Sequence, residues 1–259
     1  MDRSTLTIAQ NELTSLGPQR VWSLLVTVFG DLAQSENDTI DGPVLSILMT
    51  DMAIKPEAVR VALHRLRNDN WITSAKHGRT SRHSLTEHGR QISAAANPRI
   101  YGPPQDTAKN WQLVMLESTS SQSRTAMEKL GFAPLMPRVY VGASDAKPPK
   151  NALALPAVKT PAWLSAQFEP KDLVQDYAAL HSALTKLEHA LAKDQDLNAR
   201  EIAVLRSAIV HSWRRLVLRH PNLPRQLYSD DWRGHDCRVL VMELLNRLPR
   251  PALSEIALS

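Results

Sequence analysis

Between residues 55 and 90 the hydrophobic period of the chain changes from that of a helix to that of a strand, and no other feature restricts the fold as much. Three amphipathic helices are predicted by the end of the helical stretch. The first follows Gly17-Pro18, where Val21, Leu24, Leu25, Val28, Phe29 and Leu32 form one apolar stripe. The second opens at Gly42-Pro43, with proline near the first turn, where its missing N–H removes no bond, and it buries Val44, Ile47 and Leu48. The third opens at Lys55-Pro56-Glu57 and turns Val59, Ala62, Leu63 and Leu66 inward. The period then shortens. Residues 71–75 read as a strand, Lys76-His77-Gly78-Arg79 as a turn with the glycine such turns need, and residues 81–85 as the returning strand. Thr86 caps a further helix from Glu87. The order is helix, helix, helix, hairpin, helix.

Charge is concentrated in the same unit. The 259-residue chain has a formal net charge of +5, and residues 55–90 alone hold eight Lys and Arg against three acids, with four of the nine histidines. Residues 31–54 hold five acids and no Lys or Arg. On the third helix Glu57, Arg60, His64 and Arg67 lie away from the apolar side, with Arg65 at the border between the two faces. An arginine fork can bond guanine O6 and N7 or clamp a phosphate. On the hairpin, Lys76, Arg79, Arg82 and His83 surround Gly78 and suit phosphates or a narrow minor groove. A merely solvated charged face is the plain alternative. The element order, the hairpin glycine and the concentrated charge favour double-stranded DNA over it, through a winged helix-turn-helix whose third helix enters the major groove.

Prolines divide the remainder. Asn97-Pro98-Arg99-Ile100-Tyr101-Gly102-Pro103-Pro104 reads as a linker that cannot continue a helix, and the prolines from Pro148 to Pro161 as a long irregular loop. The expected segments are 1–96, a winged helix-turn-helix; 97–109, a linker; 110–170, a small α+β middle domain; and 171–259, a helical domain. In the middle segment, residues 111–116, 139–141 and 164–168 read as strands, and residues 123–130 as a helix ended by Gly131. That pattern suits a ferredoxin-like unit, so the fold class is α+β. In the last segment Leu173, Tyr177, Leu180, Leu184, Leu187 and Leu191 alternate spacings of four and three, which fits either ordinary core packing or a dimer seam through Leu180, Leu184 and Leu187. Ile202, Leu205, Ile209, Leu216 and Val217 lie on a second helix, and residues 239–248 on a third.

Several classes of function find no support. At 43% hydrophobic and 22% charged residues the composition is that of a soluble globular protein, with no apolar run long enough to span a membrane. Residues 1–4 do not begin a secretory signal, and a lone Cys237 permits no internal disulfide framework, so a cytoplasmic protein is expected. Cys237 follows His235 by two residues, a spacing that points the side chains apart on a helix, so an inert buried thiol is expected. No metal-ligand spacing and no phosphate-binding glycine loop occur, so neither an enzyme nor a cofactor is expected.

The motifs carry a family resemblance along nearly the whole chain. Val26-Thr27-Val28-Phe29-Gly30-Asp31, Val59-Arg60-Val61-Ala62-Leu63-His64-Arg65-Leu66, Trp71-Ile72, Gly78-Arg79, and Leu85-Thr86 before Gly89 resemble the PaaX-type repressors of bacterial phenylacetate degradation. Gly131-Phe132-Ala133-Pro134-Leu135 and Pro137-Arg138-Val139-Tyr140-Val141 are similar to that family's middle domain. His211-Ser212-Trp213-Arg214-Arg215, Pro221-Asn222-Leu223-Pro224 and Asp231-Trp232-Arg233-Gly234-His235 resemble its C-terminal domain, with Trp213 in place of the usual tyrosine. The resemblance implies a dimeric cytoplasmic repressor, released from operator DNA by an aryl-CoA thioester such as phenylacetyl-CoA.

Residues 202–229 hold Arg206, Arg214, Arg215, Arg219 and Arg225 with no acid, a composition suited to the phosphates of such an effector. Arg206, His211, Trp213, Arg214 and Arg215, with Arg138 in the middle segment, are therefore the candidate ligand residues. A second DNA-facing surface, or arginines paired with acids elsewhere in the fold, are the competing readings. A different class of function, a nucleic-acid-processing protein, would need convergent acids in the middle segment, where Glu117 and Asp145 are on offer.

Overall fold

A computed structural model describes residues 3–17, 20–103, 110–118, 120–157, 159–192 and 196–258. The chain divides into two compact units. The first comprises residues 1–102, 179–215 and 239–259, and the second residues 103–178 and 216–238. The expected helical third segment is thus shared between them, because packing rather than chain order decides which residues belong together.

In the first unit, helices α1 (Arg3–Ser15) and α2 (Val21–Leu32) precede the short strand β1 (Ile40–Asp41) and helices α3 (Gly42–Asp51) and α4 (Pro56–Asn68). Strands β2 (Ile72–His77) and β3 (Thr80–Leu85) form the expected hairpin, followed by α5 (Glu87–Tyr101). Proline stands in the first turn of both α3 and α4. The core joins Leu24, Leu25, Val28 and Phe29 of α2 to Leu45, Leu48, Val59, Leu66, Ile72 and Leu85. Strand β1 adds a third strand to the hairpin, pairing Ile40 with His83 and Asp41 with Arg82, and gives the order β1-β3-β2.

Helix α5 corrects the reading of residues 97–101 as linker. It carries Pro98 within it and continues to Tyr101. Ile100 is buried and the Tyr101 hydroxyl is bonded within the unit, so tertiary contacts outweigh the local penalty of the proline. Residues 104–109 of the expected linker lie outside the described residues.

The second unit holds β4 (Trp111–Met115), α6 (Ser121–Lys129), β5 (Ala133–Met136), β6 (Val139–Ala143), β7 (Leu153–Ala157) and α7 (Ala162–Phe168). The four strands are antiparallel in the order β5-β6-β4-β7. Val114, Met127, Phe132 and Tyr140 form the core between sheet and α6. Residues 164–168 are helical rather than a strand. Leu164, Ser165 and Phe168 are buried together, a helical spacing that the short apolar run disguised. The proline-rich stretch expected to be an irregular loop contains β7, an edge strand in which Pro156 deprives the ladder of little.

Helices α8 (Lys171–Leu191), α9 (Ala199–Val217) and α10 (Gly234–Arg247) and the short α11 (Leu253–Leu258) complete the chain. Leu173, Tyr177, Leu180, Leu184, Leu187 and Leu191 are all buried. Their heptad-like spacing therefore fits the ordinary core packing that the sequence allowed, and Leu180, Leu184 and Leu187 have no surface left for the alternative, a dimer seam. No helix among the described residues is long and apolar enough to cross a membrane.

Candidate nucleic-acid interface

Helix α4 has two faces of opposite character. Val59, Ala62 and Leu66 are buried and Leu63 is half-buried, which fixes the helix to α2 and the hairpin. Arg60, His64, Arg65, Arg67 and Asn68 are exposed on the other side. Arg60 and Arg67 form no ion pair among the described residues, so their guanidinium groups keep all their donors for an external acceptor. His64 Nδ1 lies 3.3 Å from the amide nitrogen of Asn68, one turn on. Arg65 is drawn sideways: its Nε lies 3.4 Å from Asp69, and its guanidinium sits 4.9 Å from the Trp22 ring centroid. That stacking makes Arg65 a lateral support of the helix more than a free reader.

The hairpin continues the basic surface. Strands β2 and β3 pair from Ile72–Leu85 to His77–Thr80 and leave Gly78 and Arg79 as a two-residue turn. Gly78 has φ of 60°, which glycine adopts without a steric penalty at the first position of such a turn. Lys76 and Arg79 are exposed at this tip. The base of the hairpin depends on another glycine. Thr86 caps α5 by accepting the Gly89 N–H at 3.0 Å, and a Cβ on Gly89 would fall 2.3 Å from the Trp71 carbonyl oxygen.

Two of the basic residues expected at the interface have other partners. Arg82 Nε donates to Asp41 at 2.8 Å across the β1–β3 pair, so an acid from the acidic stretch offsets its charge. His83 is buried, with Nδ1 2.8 Å from the Ser74 hydroxyl. Burial, helped by the charge of Arg67, lowers its pKa and keeps the ring neutral. His83 is thereby removed from the phosphate-contacting set, and Arg82 is reduced in it.

The acid-free arginine stretch has a structural explanation. Ser23, Thr27 and Asp31 lie four residues apart on α2, and α9 runs antiparallel against them. Arg214 Nη1 lies 3.3 Å from the Ser23 hydroxyl, His211 Nδ1 lies 3.2 Å from the Thr27 hydroxyl, and Arg206 donates to both oxygens of Asp31 at 2.9 and 3.0 Å. Arg206 also donates to the carbonyls of Leu245 and Leu248, and the Tyr101 hydroxyl donates to Asp31. Trp213 is buried and its indole N–H donates to the Ile100 carbonyl at 2.9 Å. Arg215 lies against Gly17. Burial and the neighbouring Arg214 and Arg215 lower the His211 pKa to about 4.

As a ligand set, then, these residues are corrected: Arg206, His211 and Trp213 are committed to the core, and Arg214 is engaged with α2. Outside this group, Arg219 pairs with Asp172 and Asp176. Arg138 lies in the other unit. It is exposed in the turn between β5 and β6 with φ of 66°, and donates to the Glu117 carbonyl at 3.1 Å. The one signal of the polar ladder on α2 in the sequence is the four-residue repeat of Ser23, Thr27 and Asp31.

Glu117 and Asp145 do not converge. They follow opposite ends of the antiparallel β4–β6 pair, in which Met115 faces Val139 and Trp111 faces Ala143. No cluster of three or more His, Cys, Asp or Glu side chains suited to a metal occurs among the described residues. Cys237 is buried and bonded to the Tyr177 carbonyl at 3.5 Å, and burial raises its pKa above the ordinary thiol range.

Comparison with known proteins gives the following matches. The family model described as PaaX-like protein matches residues 20–89, and that of the PaaX-like protein C-terminal domain matches residues 168–256. The chain is 24% identical over 260 residues to the transcriptional repressor PaaX of Escherichia coli strain K12, covering 91% of this chain and 82% of that protein. Among solved structures, an uncharacterized protein of Mycobacterium tuberculosis, Rv0674, matches at 19% identity with a TM-score of 0.48, covering 87% of this chain and 96% of that one.

Proposed function

Since the chain belongs to the PaaX-like family, we propose that it is a non-enzymatic transcriptional repressor that binds operator DNA through α4 and the β2–β3 hairpin. The observation that carries this reading is the exposed basic surface of Arg60, Arg67, Lys76 and Arg79 on a helix and a hairpin whose base packs into the core. Three helices, the hairpin and its glycine turn support a winged helix-turn-helix, with α4 as recognition helix and the hairpin as wing. In the second unit, the strand order and directions support a ferredoxin-like arrangement from which the second crossover helix is missing, residues 144–152 taking its place.

The finer reading is a cytoplasmic homodimer that represses a catabolic operon and releases it on binding an aryl-CoA thioester such as phenylacetyl-CoA. Two winged helices related by a two-fold axis double the base contacts that one can make and fix the half-site spacing. The effector class rests on the family resemblance. The five positions 206, 211, 213, 214 and 215 give it little support, because their side chains are engaged within the protein.

A duplex-binding titration at several salt concentrations tests the reading. Affinity that falls steeply with salt, together with preference for one sequence over bulk duplex, is the expected result. Equal, salt-insensitive binding to all duplexes would overturn it. Calorimetry with phenylacetyl-CoA tests the effector: absence of heat and of any change in the DNA complex would remove that class.

A further inference from the structure

Val61 is 71% exposed, more than any other large hydrophobic residue described. It lies on α4, where Val59, Ala62 and Leu66 supply the buried side. Helical spacing sets Val61 on the outward face beside Glu57, His64, Arg65 and Asn68, at distances of four, three, four and seven residues. It is thus an apolar group in the middle of a polar surface. The helix gains nothing from it, since a β-branched residue is a poorer helix former than the alanine, lysine or glutamate that solvent would accept there. Packing gains nothing either, as the core lies on the opposite side.

We propose that Val61 reads the C5-methyl group of a thymine, an inference that rests on α4 being the recognition helix. The thymine methyl is the apolar feature of the major-groove edges, and it is what distinguishes thymine from cytosine or uracil by contact rather than by hydrogen bonding. The reader of such a group must be apolar, outward-facing and stiff enough to hold its place. Val61 has two methyl groups on a branch restricted at χ1, and it sits in the first half of α4, the part of a recognition helix that meets base edges. Arg60 precedes it and His64 follows one turn later, so a polar contact to a neighbouring base and the methyl contact fit one docking of the helix.

The test uses the full-length protein and a duplex enriched by it from random sequence. Each thymidine of that duplex is replaced singly by deoxyuridine, which removes only the methyl group. For the wild-type protein, one thymine in each half-site should lose about fourfold in affinity on replacement, the factor expected for about one methylene's worth of apolar contact. Val61→Ser should bind the thymidine duplex about fourfold more weakly and show no further loss with deoxyuridine at that position. Val61→Thr, which keeps one methyl, should retain part of the sensitivity. A wild-type protein indifferent to every methyl, or a Val61→Ser protein as sensitive as wild type, would overturn the proposal while leaving the recognition helix intact. Failure to enrich any sequence would instead bring down the reading of α4, and this inference with it. Because Val61 is outside the core, circular dichroism should show all three proteins equally folded.

Discussion

Both carboxylate oxygens of Asp31, which is fully buried on α2, are held by the Arg206 guanidinium of α9, so residues 175 positions apart form one bidentate pair. The pair joins the helix behind α4 to the C-terminal part of the same unit. The Tyr101 hydroxyl also donates to Asp31, Arg206 Nη1 donates to the Leu245 and Leu248 carbonyls, and the more exposed Arg250 lies 3.8 Å from Asp31. Breaking a buried pair of this kind by deleting one partner leaves the other charge stranded. Arg206→Ala should therefore destabilise the protein by about 3–5 kcal/mol, whereas an apolar replacement of both partners should recover much of that loss. Urea denaturation of the single and double variants provides the measurement, and near-normal stability of Arg206→Ala would contradict the assigned role.

The DNA-facing residues should separate into two groups. Arg60→Ala or Arg67→Ala should weaken binding to the preferred duplex by about 1–3 kcal/mol if that arginine contacts a base edge. Arg79→Ala and Lys76→Ala should weaken binding to all duplexes and make the salt dependence shallower, because a lost phosphate contact no longer releases a counterion. Arg82→Ala should change affinity less than Arg79→Ala, as Asp41 already offsets its charge. Equal effects of Arg79 and Arg82 on the salt slope would refute that distinction.

The contrast between Arg79 and Arg82 also shows what the sequence reveals and what it hides. The three helices, the hairpin and the Thr86 cap are legible because local signals and final structure agree: apolar period, proline at first turns, glycine at the turn. The partner of Arg82 is not legible, since Asp41 lies on a two-residue strand with no pattern of its own. Asp31 is hidden for the same reason. An acid at the end of an apolar stripe looks solvated until α9 covers it, and an acid-free run of arginines looks like an anion site until its acids appear on α2. Pro98 marks a different limit, because proline gives a local prohibition that burial of Ile100 overrides.

The leucines of α8 offer a test of core against interface. Leu184 has no exposed surface in the protomer. Leu184→Ala should cost about 2–5 kcal/mol of stability, as large-to-small changes in a packed core do. It should leave the sedimentation behaviour of the folded protein unchanged. A stable variant with an altered oligomeric state would return these leucines to a subunit interface.

The pH dependence of stability should carry the signature of His211. In the folded protein its pKa falls from 6.5 to about 4, chiefly through burial and then through the charges of Arg214 and Arg215. The unfolded chain therefore takes up a proton at this site that the folded one refuses between about pH 6.5 and pH 4. Stability is fully present above the upper value, falls as the pH drops through this window, and levels off for this group below the lower one. A shift of that size corresponds to about 3 kcal/mol. His83, also lowered by burial, acts in the same direction. His211→Gln keeps a polar group beside the Thr27 hydroxyl but has no proton to gain, so its urea midpoint should decline less steeply between pH 7 and pH 4 than that of the wild type. Parallel curves for the two proteins would show that acid sensitivity arises elsewhere and that the His211 ring is accessible to protons in the folded state.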